Sequence, residues 1–255
     1  MRVRRLTWAG LEVQTPTTTA VVDLLTGTPS LSAVAGPPRE PLLAPLTAPG
    51  TVDVAAVTHL HSDHFDVEAL RTALALGAPV LCPPAAAPAV TEAGFNARGV
   101  ELWETAKVGE LDFTAVPAVD GFGSPQVSWV ISDGAARLIH CGDTLWHGFW
   151  WQIAERCGPF DIAFLPINGA IAEFDYAQPA SGMPAVLVPE QAAAAADVLQ
   201  AGRAAPIHYG TFHQAPGYLG LPDPESAFAH AAGRRGVTAQ LLQPGEELDL
   251  SRVPS

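Results

Sequence analysis

Over the first quarter of the chain, apolar and polar positions alternate with a period of two. Residues 4–13 and 18–25 read as two strands of a hairpin around a turn at 14–17. The pattern then breaks: Pro29, Pro37, Pro38, Pro41, Pro45 and Pro49 make residues 27–50 an irregular loop. Residues 51–58 contain the apolar run VDVAAV and read as a buried strand, and 67–76 as a helix stopped by Gly77. A short strand at 79–82, a helix at 85–93, and strands at 100–104, 111–117, 127–132 and 137–140 follow. Further on, 146–157, 189–201 and 223–233 read as helices, and 162–166, 205–208 and 239–243 as strands. Residues 168–188, rich in Gly and Pro and without apolar period, read as a long loop; loops of that length usually serve a function. Strands thus precede helices twice, which predicts an α/β chain of the α+β kind. Its two β-rich halves would each be covered by helices in a four-layer αββα sandwich. No linker divides residues 1–255, so a single domain is expected.

Composition narrows the function. The chain has 255 residues, 48% of them apolar and only 15% charged, with a formal net charge of −13. Such a surface repels phosphate backbones and anionic lipid, so neither nucleic acid nor a membrane is an expected partner. No apolar run reaches the roughly 18 residues of a spanning helix. Glu12 and Gln14 interrupt the N-terminal segment before it could form a signal peptide. Cys82, Cys141 and Cys157 are odd in number and form no CxxC pair; they fit buried thiols in a reducing cytoplasm.

The chemistry gathers at VTHLHSDHFD, residues 57–66. On an extended strand end, positions i and i+2 point the same way, so His59 and His61 can grip one ion. A turn into the following helix would redirect Asp63 and His64 toward a second position. Imidazole and carboxylate suit Zn, and also Mn or Fe. A solvated polar turn would account for one histidine there, but not for three and an aspartate behind an apolar strand.

These residues resemble the signature of the metallo-β-lactamase superfamily of metal-dependent hydrolases, and the resemblance runs along most of the chain. LTWAGLEV…VVDLL is similar to the superfamily's opening hairpin. LIHCGDTLWH is similar to its G-D-T segment, PFDIAFLPING to the strand after it, and VLVPEQAAAAADVL…APIHYGTF to the closing helix and strand-end histidine. PIHYGTF points to the branch that includes ascorbate-6-phosphate lactonase and N-acyl-phosphatidylethanolamine phospholipase D. The resemblance implies that His59 and His61 hold a first metal, that Asp63, His64 and His208 hold a second, and that Asp143 bridges them. The superfamily's usual histidine after a V-P-A stretch is missing. Here AVPAVDGFG puts Asp120 in its place, as a substituted ligand, an ordinary Asp-Gly turn residue, or the mark of a weakened first site. A carboxylate ligand would make that site harder and favour Mn or Fe over zinc.

Two such ions bring the pKa of water toward about 7, so the expected reaction is attack by hydroxide on a small ester, lactone, amide or phosphodiester. The resemblance gives Asp63 a second role in proton transfer. His213, five residues after His208, is a candidate catalytic acid, and Tyr209 a candidate hydroxyl. His61 stands where the superfamily's di-iron oxidoreductases resemble one another in carrying a carboxylate, which favours hydrolysis. A metal-binding protein with impaired catalysis and a di-iron redox enzyme are the rival readings. Trp146, Phe149, Trp150 and Trp151 are expected mostly in the core or at an interface, any remainder at the site entrance; His147 is expected off the site, His140 behind a ligand or buried, and His230 exposed. Phe174 and Tyr176 are expected to cover the mouth. Scarce arginines favour a small ester or lactone as partner, and a homo-oligomer is compatible with the composition.

Overall fold

A computed structural model describes residues 1–251. Its first sheet takes in β1 (Arg2–Arg5), β2 (Leu11–Gln14), β3 (Thr19–Val22), β4 (Val54–Ala56), β5 (Pro79–Cys82) and β6 (Asn96–Gly99). The second sheet follows with β7 (Thr105–Val108), β8 (Leu111–Pro117), β9 (Val127–Ser132), β10 (Arg137–His140) and β11 (Ile162–Pro166). A two-stranded ribbon pairs β12 (Ile171–Ala172) with β14 (Tyr218–Leu219), while β13 (Arg203–Ile207) and β15 (Thr238–Ala239) complete the second sheet. The last strand, β16 (Glu247–Asp249), returns to β1 and closes the first. The helices are α1 (Ser32–Ala35), α2 (Val67–Ala73), α3 (Ala87–Glu92), α4 (Trp150–Cys157), α5 (Pro189–Val198) and α6 (Pro224–Arg234).

Strand alternation divides the apolar residues among three cores. Val13, Val22 and Ala56 from the first sheet meet Phe113, Trp129 and Phe164 from the second in the space between the sheets. The opposite face of the second sheet, with Val130, Ile139 and Leu165, packs under α4, α5 and α6. The opposite face of the first, with Val21, Ala55 and Val80, packs under α2 and α3. The result is the four-layer αββα sandwich expected from the sequence. Period-two alternation gives each strand one face toward its sister sheet and one toward a helix layer.

Several boundaries differ from expectation. The strand expected over 4–13 is itself a hairpin: Leu6 N–H bonds to Gly10 O, and Trp8 takes φ 63° at the tip of the turn. The strand expected at 100–104 is a turn between β6 and β7, with Trp103 at φ 71°. Residues 146–149 lead into α4 without joining it, and the end strand is shorter than 239–243. The loop at 168–188 carries β12, and the loop at 27–50 carries α1.

Candidate metal centre

Four strand ends deliver the chemistry to one rim of the sandwich. The turn after β4 carries His59, His61, Asp63 and His64, with Asp66 capping α2 by accepting from Ala69 N–H. The turn after β8 carries Asp120, that after β10 carries Asp143, and that after β13 carries His208. His208 takes φ 57°, with its N–H bonded to Trp8 O. All seven are expected from the sequence as metal ligands, and six of them meet in two groups. Asp63, His64, Asp143 and His208 bring one donor atom each within 4.8 Å of the others; so do His59, His61 and Asp143. Asp143 belongs to both groups. Asp120 belongs to neither, but its Oδ1 lies 3.8 Å from His61 Nδ1.

The hydrogen bonds fix which nitrogen each histidine turns inward. Asp23, buried and unprotonated, accepts from Thr58 N–H at 2.8 Å and Thr58 O–H at 2.7 Å. It also accepts from His64 Nδ1–H at 2.8 Å. Because the Thr58 hydroxyl proton is committed to Asp23, its oxygen accepts from His59 Nδ1–H at 3.0 Å. Asn168 Oδ1 accepts from His208 Nδ1–H at 3.4 Å. When neutral, these three imidazoles are therefore held as the tautomer whose Nε2 carries a bare lone pair. Those three Nε2 atoms and Asp143 Oδ1 are buried and lack any hydrogen bond, although His64 Nε2 and His208 Nε2 stand 3.0 and 2.9 Å from Asp143 Oδ1. Buried polar atoms left without partners are costly, and four of them aimed at one space fit divalent cations.

Electrostatics agree. Burial, then His64, pushes His59 down to about 3, so it is a neutral imidazole at any ordinary pH. Burial opposes charge on His64 and His208 too, but neighbouring carboxylates, Asp143 foremost, outweigh it and raise both pKa values. Burial would raise Asp143, yet His208 and His64 hold its pKa well below the carboxylate range. Asp63, opposed by burial but drawn down by His64 and His208, sits at about 2. For Asp120 burial wins and the pKa rises, against the pull of His61 and the amides of Phe122 and Ser124. Its Oδ2 accepts from those amides at 2.9 and 2.8 Å, as in an Asx turn. Ser124 Oγ lies 2.7 Å from His61 Nε2, leaving Nδ1 on the Asp120 side.

Above the centre opens a cavity of about 540 Å³. Leu31, Val34, Leu60, Phe122, Phe174 and Tyr176 form apolar walls, and Asp63, Asp143 and His208 lie at the polar end. Phe174 and Tyr176, expected at the mouth, line the cavity and stack at 5.2 Å, with Phe122 edge-on to Phe174 at 4.9 Å. No Lys or Arg lines this cavity among the described residues.

Other candidates lie elsewhere. His213 is half-buried beside Gly220 and does not line the cavity. Tyr209 is tied to Arg5 and Glu225, away from the centre. His147 stacks on Trp150, His140 is buried with Nε2 on Ala9 O, and His230 is exposed. Of the aromatic run only Trp150 enters the core. Trp146 and Phe149 are exposed in the segment before α4, Trp151 is exposed on the helix itself, and none of the four lines the cavity.

Four residues escaped sequence reasoning. Trp8 donates its indole N–H to Asp63 Oδ2 at 3.0 Å and lies against His208, with ring centroids 3.8 Å apart. Asp23 and Asn168 orient histidines, as described. Tyr218 is buried, lines the cavity and accepts at its hydroxyl oxygen from Asn168 Nδ2–H at 3.0 Å; burial, then Asp143 and Asp63, hold its pKa well above 10. Each is a lone residue far from the motif, so no spacing marks it.

Comparison with known proteins agrees with this geometry. Residues 20–209 match the family model described as a beta-lactamase superfamily domain. A metal-dependent hydrolase of the UPF0173 family from Rubrobacter xylanophilus is 30% identical over 212 residues, covering 78% of this chain and 79% of that protein. An uncharacterized protein of Mycobacterium tuberculosis is 32% identical over 235 residues; the match covers 86% of this chain but 60% of the relative's length. Among solved structures, the metallo hydrolase Igni18 of Ignicoccus hospitalis superposes with a TM-score of 0.71 at 19% identity over 97% of both chains. CmlA, a diiron β-hydroxylase from Streptomyces venezuelae, gives 0.76 at 18% identity over 97% of this chain and 53% of that one. At such identities the likeness is one of fold.

Proposed function

The chain belongs to the beta-lactamase superfamily of metal-dependent hydrolases, and on that premise we propose that it is a dinuclear enzyme cleaving a small, uncharged ester or lactone. The reading rests above all on the four buried, unpartnered donor atoms of His59, His64, His208 and Asp143, aimed at one space beneath a cavity. In it, His59, His61 and Asp120 would hold one ion and Asp63, His64 and His208 the other, with Asp143 available to both. Zinc suits the imidazole-rich donors, and Mn or Fe would follow if the Asp120 oxygen binds. When bound, such ions lower the pKa of water toward about 7 and polarise the bond to be cleaved.

The protein's own groups do the rest. Asp63, fixed by the Trp8 N–H, is the carboxylate able to accept and return a proton at the polar end of the cavity. Leu31, Val34, Phe122, Phe174 and Tyr176 exclude water and hold an apolar acyl portion. Without Lys or Arg in the lining, no side chain would join the ions in offsetting the charge of a phosphodiester, which ranks that substrate below the ester and lactone. His213 would act only from outside the lining, and we do not assign it a proton-transfer role. The free thiols Cys82, Cys141 and Cys157 fit a cytoplasmic, single-domain enzyme.

Elemental analysis combined with turnover of p-nitrophenyl esters, lactones and bis-(p-nitrophenyl) phosphate tests the proposal. Two ions per chain and turnover of the uncharged probes are expected. Two ions with no turnover in the whole panel would favour a metal-binding protein without catalysis. Iron with a visible absorption band and oxygen consumption would favour redox chemistry instead.

A further inference from the structure

Tyr218 lines the cavity, is neither a candidate ligand nor hydrogen-bonded to one, and its hydroxyl has a donor to spare. The oxygen accepts from Asn168 Nδ2–H, so the phenolic proton is left to donate. Asn168 cannot swing away from it. Its Oδ1 is taken by Ala170 N–H at 3.3 Å and faces His208 Nδ1 at 3.4 Å, which commits its nitrogen to the phenol. The backbone is fixed as well. Tyr218 pairs with Ala172 in the β12–β14 ribbon and exchanges N–H···O bonds of 2.9 and 2.8 Å with Gln214. The ring is buried, and the side chain lies within electrostatic reach of Asp63 and Asp143. A hydroxyl so held, in the lining that Asp63, Asp143 and His208 share, can reach a substrate group and has no protein acceptor of its own among the described residues.

We propose that Tyr218 is a catalytic residue, donating its phenolic O–H to the carbonyl oxygen of the ester or lactone as that oxygen gains negative charge. The proposal rests on the hydrolase reading above. No bond to Tyr218 forms or breaks; the hydrogen bond strengthens as charge develops, and water supplies the atoms of hydrolysis. A preorganised donor in a dry site favours the charged transition state over the neutral substrate, so the gain is in kcat more than in KM. Asn168 is then a positioning residue that serves both sides of the site, turning His208 Nε2 inward and aiming the phenol.

The test compares the metal-loaded wild type with Tyr218→Phe, which keeps the ring and removes the donor, on p-nitrophenyl butyrate and a γ-lactone. Expected is a loss on the order of 10²-fold in kcat, with KM changed less than about threefold. Bound metal per chain and the circular dichroism spectrum should be unchanged. Asn168→Ala, which leaves the phenol but releases its aim, should give a smaller loss of the same kind. If Tyr218→Phe turns over the probes within twofold of the wild type, the proposal is overturned and the hydrolase reading stands. If the wild type turns over neither probe, both fall together. If Tyr218→Phe loses metal or does not fold, Asn168→Ala decides: a loss in KM alone, or none, overturns the proposal.

Discussion

At the scale of single residues, the site separates what a sequence can display from what it cannot. His59, His61, Asp63 and His64 stand within six positions, and Asp143 and His208 sit in recognisable strand-end segments, so all six were legible. Asp23 was not: it is a lone aspartate at the end of β3, 41 positions from the histidine it orients. Yet its single carboxylate holds the tautomer of His64 directly and that of His59 through Thr58. Asp23→Ala should therefore weaken metal binding about 10–100-fold, the usual cost of losing such a partner, without removing any donor. Competition with a chromophoric chelator measures this, and unchanged affinity would mean that the histidines are oriented by the fold alone. Asp120 poses the sharper question, because one of its oxygens serves the turn and the other faces His61. Asp120→Ala should lower stoichiometry by about one ion per chain if that second oxygen is a ligand. Two ions retained would reduce Asp120 to its turn.

At the scale of elements, layers and strand order followed from alternation, while the errors fell where the backbone turns against its side chains' preferences. Trp8 and Trp103 both occupy positive φ, a conformation bulky residues rarely adopt, so each apolar residue counted as strand while forming a turn. In the first case the turn has a purpose, since it places the indole on Asp63 and against His208. The segment 120–124 is another such device. Gly121 lies so close to the 168–188 loop that a Cβ there would stand 2.8 Å from Ala185 Cα and closer still to its carbonyl oxygen. Only glycine lets the turn bearing Asp120, Phe122 and Ser124 press against the loop bearing Phe174 and Tyr176. Gly121→Ala must push the two apart, costing about 1–3 kcal/mol as overpacking does. We expect a fall in Tm on the order of 5 °C by calorimetry. The larger effect should be on KM for apolar esters, because the Phe122–Phe174 contact across the mouth is lost. A Tm shift with KM intact would show that the mouth closes independently of this contact.

At the scale of the whole molecule, the buried histidines pull stability in opposite directions with pH, and metal decides between them. Burial depresses His59 to about 3, His147 to about 4 and His140 in the same direction, each from an ordinary value near 6.5. Below that value the unfolded chain binds protons these folded groups refuse, so their contribution is present above about 6.5 and lost as the pH falls toward 4. His64 and His208 are opposite: burial works against their charge, but Asp143 and its neighbours raise both. In the metal-free protein their protonated forms stabilise the fold below about 6.5, and that contribution is lost as the pH climbs through the raised values. The metal-free chain should thus be most stable near neutrality and lose Tm on the alkaline side as Asp143, Asp63 and Asp23 are left facing uncharged imidazoles. Ions bound at the same Nε2 atoms displace those protons and supply the positive charge themselves, so the loaded protein should keep its Tm there. Melting curves from pH 5 to 9, with and without chelator, should diverge above neutrality and draw together as the pH falls, where protons compete with the ions for the same Nε2 atoms. Loading at pH 7.5 in weak buffer should release protons. Identical alkaline slopes with and without chelator would mean that His64 and His208 are not the groups the ions occupy.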